Sequence, residues 1–309
     1  MAARPADLPA GAGRARAGRA GARHRRRPGA GGEGAVELKA TEYDVDGPVA
    51  TLTLSRPHRR NAWTGRMHHE FRHLLDRAER DPAVRVVVLT GAGGDFCVGA
   101  DTEALAGHSA RGAYDDGLGR DVPTPGYGVA EKFDQNFAFM MALDVVTIAA
   151  VNGAAAGVGL VAACYCDLRF AAADALLTTA HGPLGLPAEY GLSWVLPRLV
   201  GVTRANDLLL SSRRFTAAET QGWGLFNEIV EAGELAERVR AYARDLTARV
   251  APGSLAATKR QVYDDLHRDV GSAVAESDRL LAEMMRRPDF REGVAALLER
   301  RPPVWGAED

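Results

Sequence analysis

Short apolar segments with the spacing of β-strands alternate with amphipathic segments in the first part of the chain. Residues 36–54 alternate in polarity on both sides of a turn at 46–48, and this pattern predicts a β-hairpin. Residues 67–80 place apolar side chains three and four positions apart, which predicts a helix. The β-branched run at 84–91 predicts a buried strand.

Strands and helices continue to alternate up to about residue 230, and only helices are predicted after it. Further strands are predicted at 144–153 and as two short pieces within 169–179, and residues 185–201 mix turn and helix. This order indicates the α/β fold class with a helical C-terminal part. The predicted helices are 131–143, 203–211, 217–223, 234–250, 254–268 and 274–300, the last of them interrupted near Pro288.

Composition separates the first 34 residues from the rest of the 309-residue chain. Eight arginines against Asp7 and Glu33 give this segment a charge of +6, which leaves about −8 on the remainder of a chain whose net charge is −2. Glycine, alanine and arginine offer little to bury, so we expect a disordered extension at 1–34. The domains that follow are a core at 35–230 and a helical region at 231–309 that serves oligomerisation.

The overall composition narrows the classes of partner. A chain that is 46% hydrophobic and 25% charged is typical of a soluble protein, and no apolar run is long enough to span a bilayer. The acidic body argues against nucleic acid as a partner. The three cysteines lack metal-ligand spacing, and Cys164 and Cys166 lie in an apolar segment, where we expect buried free thiols. We also expect no metal site and a cytoplasmic location.

Two loops that leave buried strands are rich in glycine. They are GAGGDFCVGAD at 91–101 and NGAAAGVG at 152–159. Each brings free backbone N–H groups to the start of a helix, where they can donate hydrogen bonds to an anion or a carbonyl oxygen. The alternative is that these glycines only permit tight turns and close packing. A third polar segment, 107–127, is predicted to be a mobile loop of the kind that includes active-site lids.

Six segments in a fixed order give the chain a specific resemblance. From about Val36 to Trp305 it resembles the crotonase superfamily, the enoyl-CoA hydratase/isomerase family. That resemblance implies a crotonase-like spiral of ββα units, a helical C-terminal part used in trimer packing, and an acyl-CoA thioester substrate of fatty acid metabolism. Coenzyme A enters as part of the substrate, and no other cofactor is implied. The segments are SRPHRRNAW (55–63), VRVVVLTGAGGDFCVGAD (84–101), TIAAVNGAAAGVGLVAACYCDLRFAA (147–172), LPRLVG (196–201), GWGLFNEIV (222–230) and EGVAALLERRPPVW (292–305).

In this family two backbone N–H groups hold the thioester oxygen, and they map here onto Ala100 and Val158. The physical reason stands without the resemblance. A thioester carbonyl that becomes an enolate gains negative charge on oxygen, and preorganised donors stabilise that charge by several kcal/mol. Because the donors are backbone groups, the valine side chain at 158 does not prevent this role.

The sequence departs from the family pattern where standard hydratases carry two glutamates. The matching positions here hold Val161 and His181, so we do not expect a standard two-glutamate hydratase. Glu189 matches the position where isomerases of the superfamily carry a carboxylate, and an apolar pocket would raise its pKa and suit it to acid and base work. His181 is a second candidate as base or hydrogen-bond donor, or else a loop histidine bonded to backbone.

Contacts to the coenzyme A moiety are implied by the resemblance alone. The segment RPHRRNAW and the residues after Ala100 line the path of the nucleotide in the family. A lysine early in a C-terminal helix is a candidate phosphate partner from an adjacent subunit. Each of these could equally be an ordinary structural or surface residue. The residues are Arg59, Arg60, Asn61, Ala62, Asp101 and Lys259.

Three functions remain open at this point. The first is an enoyl-CoA hydratase/isomerase-like enzyme with Ala100 and Val158 as oxyanion donors and Glu189 as base. The second is a crotonase-fold hydrolase that cleaves β-dicarbonyl compounds without coenzyme A, using His181 with Glu189. The third is a non-catalytic acyl-CoA-binding protein. The apolar stripe Val274, Leu280, Leu281, Met284 and Met285 could dock on the body or on another subunit, so we expect a homotrimer or hexamer.

Overall fold

The computed structural model describes residues 37–112 and 129–306. The extension at 1–34 and most of the loop predicted at 107–127 lie outside the described residues. Residues from Glu37 onward form one compact unit, so the proposed boundary at residue 230 stays a prediction.

Two sheets form the core. After the β1–β2 hairpin the chain makes three turns, and each turn places one strand in the larger sheet and the next strand in the smaller one. β1 and β2 pair antiparallel, and the rest of the larger sheet is parallel. This is the expected spiral of ββα units. In pairing order the larger sheet is β1 (Thr41–Asp46), β2 (Val49–Leu54), β3 (Val86–Gly91), β5 (Val146–Val151), β7 (Leu168–Ala172) and β10 (Glu228–Val230), and the smaller is β4 (Asp95–Cys97), β6 (Ala154–Ala156), β8 (Leu176–Thr178) and β9 (Phe215–Thr216).

The α-helices largely follow the apolar periodicity of the sequence. In the first of them, Thr64 accepts a hydrogen bond from the Met67 backbone N–H and so caps the helix, whose predicted apolar face is fully buried. After β10 the described chain contains only helices, as expected. The α-helices are α1 (Gly65–Arg80), α2 (Thr102–Arg111), α3 (Val158–Tyr165), α4 (Leu192–Val200), α5 (Val202–Ser211), α6 (Leu235–Arg249), α7 (Pro252–Asp265), α8 (Val270–Met284) and α9 (Pro288–Glu299).

Two predicted helices are wrong. Residues 131–143 form two short 3-10 helices, Glu131–Phe133 and Ala138–Ala142, because Phe137 adopts a left-handed backbone with φ of 59° and its ring is fully buried. Residues 217–223 contain only the 3-10 helix Ala218–Thr220. There Gly222 also has a positive φ, which no continuous right-handed helix contains.

The two glycine-rich loops pack directly on each other. A Cβ atom at Gly159 would overlap the carbonyl oxygen of Cys97, and one at Gly99 would come within 3.2 Å of the Ala156 oxygen. Close packing therefore accounts for glycine at these two positions. It also brings the ends of both loops to one place, which the oxyanion hypothesis requires.

The C-terminal helices leave apolar side chains exposed. No residue of α8 is fully buried, and three members of the stripe, Val274, Leu281 and Met285, are each at least half exposed. The other two, Leu280 and Met284, are partly buried, so the stripe is only partly covered by its own chain. Docking on another subunit stays a prediction. Among the described residues, no helix is long and apolar enough to cross a membrane. Cys164 and Cys166 are free and buried, as predicted, and Cys97 is free and buried as well.

Candidate active site

A cavity of about 630 Å³ opens where the two glycine-rich loops meet. One wall is the end of the first loop at Val98, Gly99 and Ala100, and a second is Gly157 and Val158 at the start of α3. Glu189 and Tyr190 line the same cavity. Three of the predicted site residues, Ala100, Val158 and Glu189, therefore lie around one space.

Hydrogen bonding to Trp63 orients the backbone at Ala100. The Trp63 N–H donates to the Gly99 oxygen at 2.7 Å, and the Asp101 N–H donates to the Trp63 oxygen at 2.9 Å. Successive amides of an extended segment point to opposite sides, so the Ala100 N–H points away from Trp63. It has no acceptor among the described residues.

The start of α3 provides the second amide. Val158 is the first residue of α3, and the first N–H groups of a helix have no acceptor within it. The flanking groups are occupied, because the Gly157 N–H donates to the Thr178 oxygen at 3.1 Å and the Val161 N–H donates to the Gly157 oxygen at 3.0 Å. The Val158 N–H has no acceptor within the described part of the chain. The helix dipole adds positive potential at this point.

Glu189 is the one carboxylate among the described residues that line this cavity. The side chain is half-buried, and burial raises its pKa above the usual value, while the nearby His181 acts in the opposite direction. A carboxylate with a raised pKa is a better proton acceptor and a more readily formed acid. The sequence argument expected such a shift from an apolar pocket.

The segment that carries Glu189 is fixed to the far end of α3. The Tyr165 hydroxyl donates to the Tyr190 carbonyl oxygen at 2.9 Å, and Tyr190 itself adopts a left-handed backbone with φ of 50°. Gly191 must be glycine, because a Cβ there would lie 2.5 Å from the Tyr165 hydroxyl oxygen. One short helix thus provides an amide at its start and holds the segment that carries Glu189 at its end.

Neither usual glutamate position carries a carboxylate. Val161 is buried in the middle of α3 and offers no polar group. His181 is 7% exposed and does not line the cavity, although its neighbour Ala180 does. Its Nδ1 is buried with no hydrogen-bond partner in the described structure. In the described structure His181 is therefore not hydrogen-bonded to backbone through Nδ1, which differs from the alternative of a loop histidine bonded to backbone through that atom.

Comparison with known proteins decides the family. Residues 44–308 match the family model "Enoyl-CoA hydratase/isomerase". This chain belongs to the enoyl-CoA hydratase/isomerase family. It is 34% identical to a Rhodobacter capsulatus protein named "Probable enoyl-CoA hydratase", over 84% of this chain and 95% of the relative. It is 33% identical to the 1,2-epoxyphenylacetyl-CoA isomerase of Escherichia coli, over 84% of this chain and 96% of that one.

Solved structures agree with this assignment. The enoyl-CoA hydratase of Bacillus anthracis superposes with a TM-score of 0.76 at 26% identity, covering 87% of this chain and all of its own. A Polaromonas enoyl-CoA hydratase gives a TM-score of 0.74 at 28% identity, with 86% of this chain covered and all of its own. The crotonase fold expected from the sequence is therefore confirmed.

Asp101, one of the residues predicted to bind coenzyme A, holds the cavity rim together. It is buried, caps α2 through the Glu103 N–H, and accepts hydrogen bonds from Arg56 at 3.0 Å and Arg59 at 3.2 Å. Burial acts to raise the pKa of Asp101, but these hydrogen bonds lower it more, so the carboxylate stays ionised. Arg59 keeps about a third of its side chain exposed and also contacts Glu103.

The side chains of Asn61 and Lys259 are engaged inside the protein. Asn61 is fully buried and bonds to the Arg56 N–H and to the Ala92 and Asp95 oxygens. The Lys259 ammonium is 2.8 Å from both an Asp167 carboxylate oxygen and the Val145 carbonyl. Phosphate contact by Lys259 stays a prediction, and this burial does not favour it.

Two other predicted contact residues also have partners within the chain. Arg60 forms a bidentate ion pair with Asp95, in which Nε and Nη2 each donate to a carboxylate oxygen at 2.8 Å. The carbonyl oxygen of Ala62 accepts a 2.6 Å hydrogen bond from Arg56. The role of Ala62 on the nucleotide path stays a prediction.

The cavity is also lined by a group of cations that the sequence argument did not single out. Their charge suits a ligand with phosphate groups. Within the family segment RPHRRNAW, the arginine that reaches the cavity is the first one and not those three and four positions later. The other members come from separate segments with no common motif, which is why they were missed. The lining cations are Lys39, Arg56, Arg66 and Arg111.

Proposed function

We propose that this protein shifts the carbon–carbon double bond of an enoyl-CoA thioester, with Glu189 as the proton carrier. The observation that carries the proposal is the single carboxylate among the described lining residues, in a cavity that Ala100 and Val158 also line. Both of these residues have an amide N–H with no acceptor in the described structure. The family and its acyl-CoA chemistry supply the substrate class.

The reaction needs only these groups and the coenzyme A that the substrate carries. Ionised Glu189 removes a proton from Cα of a 3-enoyl thioester, and the electron pair moves toward the thioester oxygen to form a dienolate. The Ala100 and Val158 amides hold that oxygen as its charge grows. The protonated Glu189 then returns the proton to Cγ, so the double bond lies between Cα and Cβ. The raised pKa of Glu189 favours both halves of this transfer.

Hydration is less well supported by the same residues. Adding water needs one group to activate the water and a proton source for Cα. Val161 can do neither, and His181 does not line the cavity. Among the described residues this leaves Glu189 alone, which is sufficient for a proton shift between two carbons.

The test is the conversion of 3-hexenoyl-CoA to its conjugated 2-isomer, followed by the absorbance of the conjugated thioester. Glu189→Gln keeps the shape of the side chain and removes the base, so the rate should fall by about 10²–10⁴-fold. Glu237→Gln, an exposed glutamate far from the cavity lining, is the matched control and should leave the rate unchanged. Full turnover by the Glu189→Gln variant would refute the assignment.

His181 supports a second candidate, the hydrolysis of a β-dicarbonyl compound. Its partnerless Nδ1 lies buried close enough to Glu189 to influence that carboxyl electrostatically. Cleavage of a 1,3-diketone without coenzyme A, abolished by His181→Ala, would favour this function over isomerisation. Binding of acyl-CoA with no turnover of either substrate would favour a binding protein.

We also propose that the exposed apolar side chains of α8 and α9 pack against further copies of the chain as a trimer or hexamer. The exposed set includes Val274, Leu281, Leu297 and Leu298. Light scattering of the purified protein tests this, and a monomer at micromolar concentration would contradict it.

A further inference from the structure

A second cavity, of about 430 Å³, lies on the other side of the segment that carries Glu189. We call it the aromatic cleft, because its walls include Phe133, Tyr165, Tyr190, Trp194 and His267. Glu189 lines the first cavity, Gly191 lines the cleft, and Tyr190 lines both. Its volume is within the range of small-molecule sites.

The rings around the cleft contact one another through both faces and edges, and the Arg198 guanidinium lies over the Trp194 ring, 3.9 Å from its centroid. Trp194 and His267 are stacked, with centroids 5.8 Å apart and an interplanar angle of 8°. Phe133 meets His267 edge-on at 6.0 Å, and Tyr190 meets the buried Phe137 edge-on at 5.5 Å. Aromatic surfaces of this kind bind another ring through offset stacking and edge contacts, in addition to burying its area.

Polar groups of the cleft are largely engaged with the protein. Lys132, the one lysine or arginine among the described lining residues, forms a 2.7 Å ion pair with Asp264. Asn136 is hydrogen-bonded to His68. No carboxylate is among the described lining residues. The cleft therefore suits an uncharged apolar group and not a second phosphate or a carboxylate.

We infer that the aromatic cleft receives the distal end of the acyl group and selects acyl-CoA thioesters that end in a planar aromatic ring. The inference deepens the proposed function and rests on it. In that proposal Glu189 acts at Cα and Cγ of the acyl group. We place the carbons beyond Cγ next to Tyr190, the residue that follows Glu189 in the chain. Tyr190 is the residue that both cavities share, and the cleft is the space behind it.

Calorimetry with saturated thioesters tests the cleft separately from turnover. We expect 4-phenylbutyryl-CoA to bind at least about tenfold more tightly than butyryl-CoA. It should also bind more tightly than decanoyl-CoA, which has the same number of acyl carbons without a ring. Equal affinity for the phenyl and decanoyl thioesters would overturn the inference.

Two substitutions locate the effect. Trp194→Leu keeps an apolar side chain and removes the ring, so it should weaken 4-phenylbutyryl-CoA by about three- to tenfold and leave butyryl-CoA unchanged. Ala138→Phe fills the cleft from a lining position and should weaken only the phenyl thioester. Trp223→Leu is the matched control, a partly buried tryptophan with Arg204 over its ring, just as Trp194 has Arg198.

The outcomes separate the two proposals. A phenyl preference that Trp194→Leu removes, without isomerisation of any enoyl-CoA, supports the cleft and refutes the proposed reaction. Isomerisation by Glu189 without a phenyl preference refutes the cleft. Failure to bind any acyl-CoA refutes both proposals. If Trp194→Leu lowers the affinity for all thioesters equally, Trp194 has only a structural role and the ring selectivity assigned to it is refuted.

Discussion

Val158→Pro offers a way to remove one proposed oxyanion donor with little disturbance of the fold. Val158 is the first residue of α3, the position where proline is best tolerated, because its missing N–H would have no acceptor in the helix. Gly157 precedes it with φ of 48° and ψ of −120°, the mirror image of the extended backbone that proline favours before it. Glycine adopts this mirror conformation readily.

The size of the effect follows from the role of a single amide. Loss of one preorganised donor lowers a rate by about 10²–10³-fold, or about 3–4 kcal/mol of transition-state stabilisation. The fold should change little, since proline replaces a buried valine with a ring of similar size and restricts the unfolded chain by about 0.4–1 kcal/mol. The expected signature is a large fall in kcat/KM at nearly constant melting temperature.

The assay is the 3-hexenoyl-CoA isomerisation described above, run beside thermal unfolding of each variant. Val158→Ala is the control, because it trims the same side chain and keeps the N–H, and it should retain turnover within a few-fold. Calorimetry with butyryl-CoA reports ground-state binding, which Val158→Pro should weaken less than it lowers kcat. A Val158→Pro enzyme that folds normally and turns over at the rate of Val158→Ala would refute the oxyanion assignment.

Four further predictions concern Glu189, Asn61 and Gly159, two of them at Glu189. Because Glu189 must be ionised to accept a proton and its pKa is raised, kcat/KM should fall as pH drops through a value above that of an ordinary glutamate, which a pH–rate profile measures. The same raised pKa means that the folded state binds the proton more tightly, so stability declines as pH rises through it and Glu189→Gln should raise the melting temperature at neutral pH. Asn61→Ala should lower the free energy of unfolding by about 1–3 kcal/mol in urea denaturation, because the backbone groups of Arg56, Ala92 and Asp95 lose their hydrogen-bond partner. The Kd for acyl-CoA should stay the same. Gly159→Ala should destabilise by about 1–3 kcal/mol, because the new Cβ meets the Cys97 carbonyl oxygen, which is backbone and cannot move aside cheaply.

Each of these has a control in the chain. Glu237→Gln should show neither the pH shift nor the gain in melting temperature. A weakened Kd at unchanged stability in Asn61→Ala would restore Asn61 to the nucleotide path. For Gly159→Ala the control is Gly47→Ala, where no atom lies within 4 Å of an added Cβ and only the positive φ opposes the side chain.

Sequence periodicity sufficed where one face of an element is buried and the other exposed. The helix at 67–80 shows this, because its apolar positions all lie inside the core: Met67, Phe71, Leu74, Leu75 and Ala78. It failed at 131–143, where Phe133, Phe139, Met140 and Met141 are buried from different sides of an irregular backbone. A run of apolar residues has the same composition in either case, and only the surrounding structure determines the backbone.

The candidate site also contains features that the sequence predicts and features that it does not. The family resemblance predicts backbone donors at Ala100 and Val158, which lie in two glycine-rich loops, and the structure brings both residues to one cavity. Side-chain roles depend on partners that are distant in the chain. Lys259 bonds to Val145 and Asp167, and nothing near it in sequence indicates this burial. His181 is next to a lining residue without lining the cavity itself, a distinction of one position that a sequence pattern does not resolve.

The proposed catalytic geometry depends on α3 more than on any single side chain. Its first residue presents the Val158 amide, its body packs on the other loop through Gly159, and its last residue holds Tyr190 through the Tyr165 hydroxyl. The donor and the base segment are therefore attached to opposite ends of one buried helix, whose eight residues span only about 12 Å. Of the two usual glutamate positions, only Val161 lies on this helix, and a valine there leaves the helix intact. Under the proposed function the fold keeps the oxyanion site while Glu189 serves as the proton carrier.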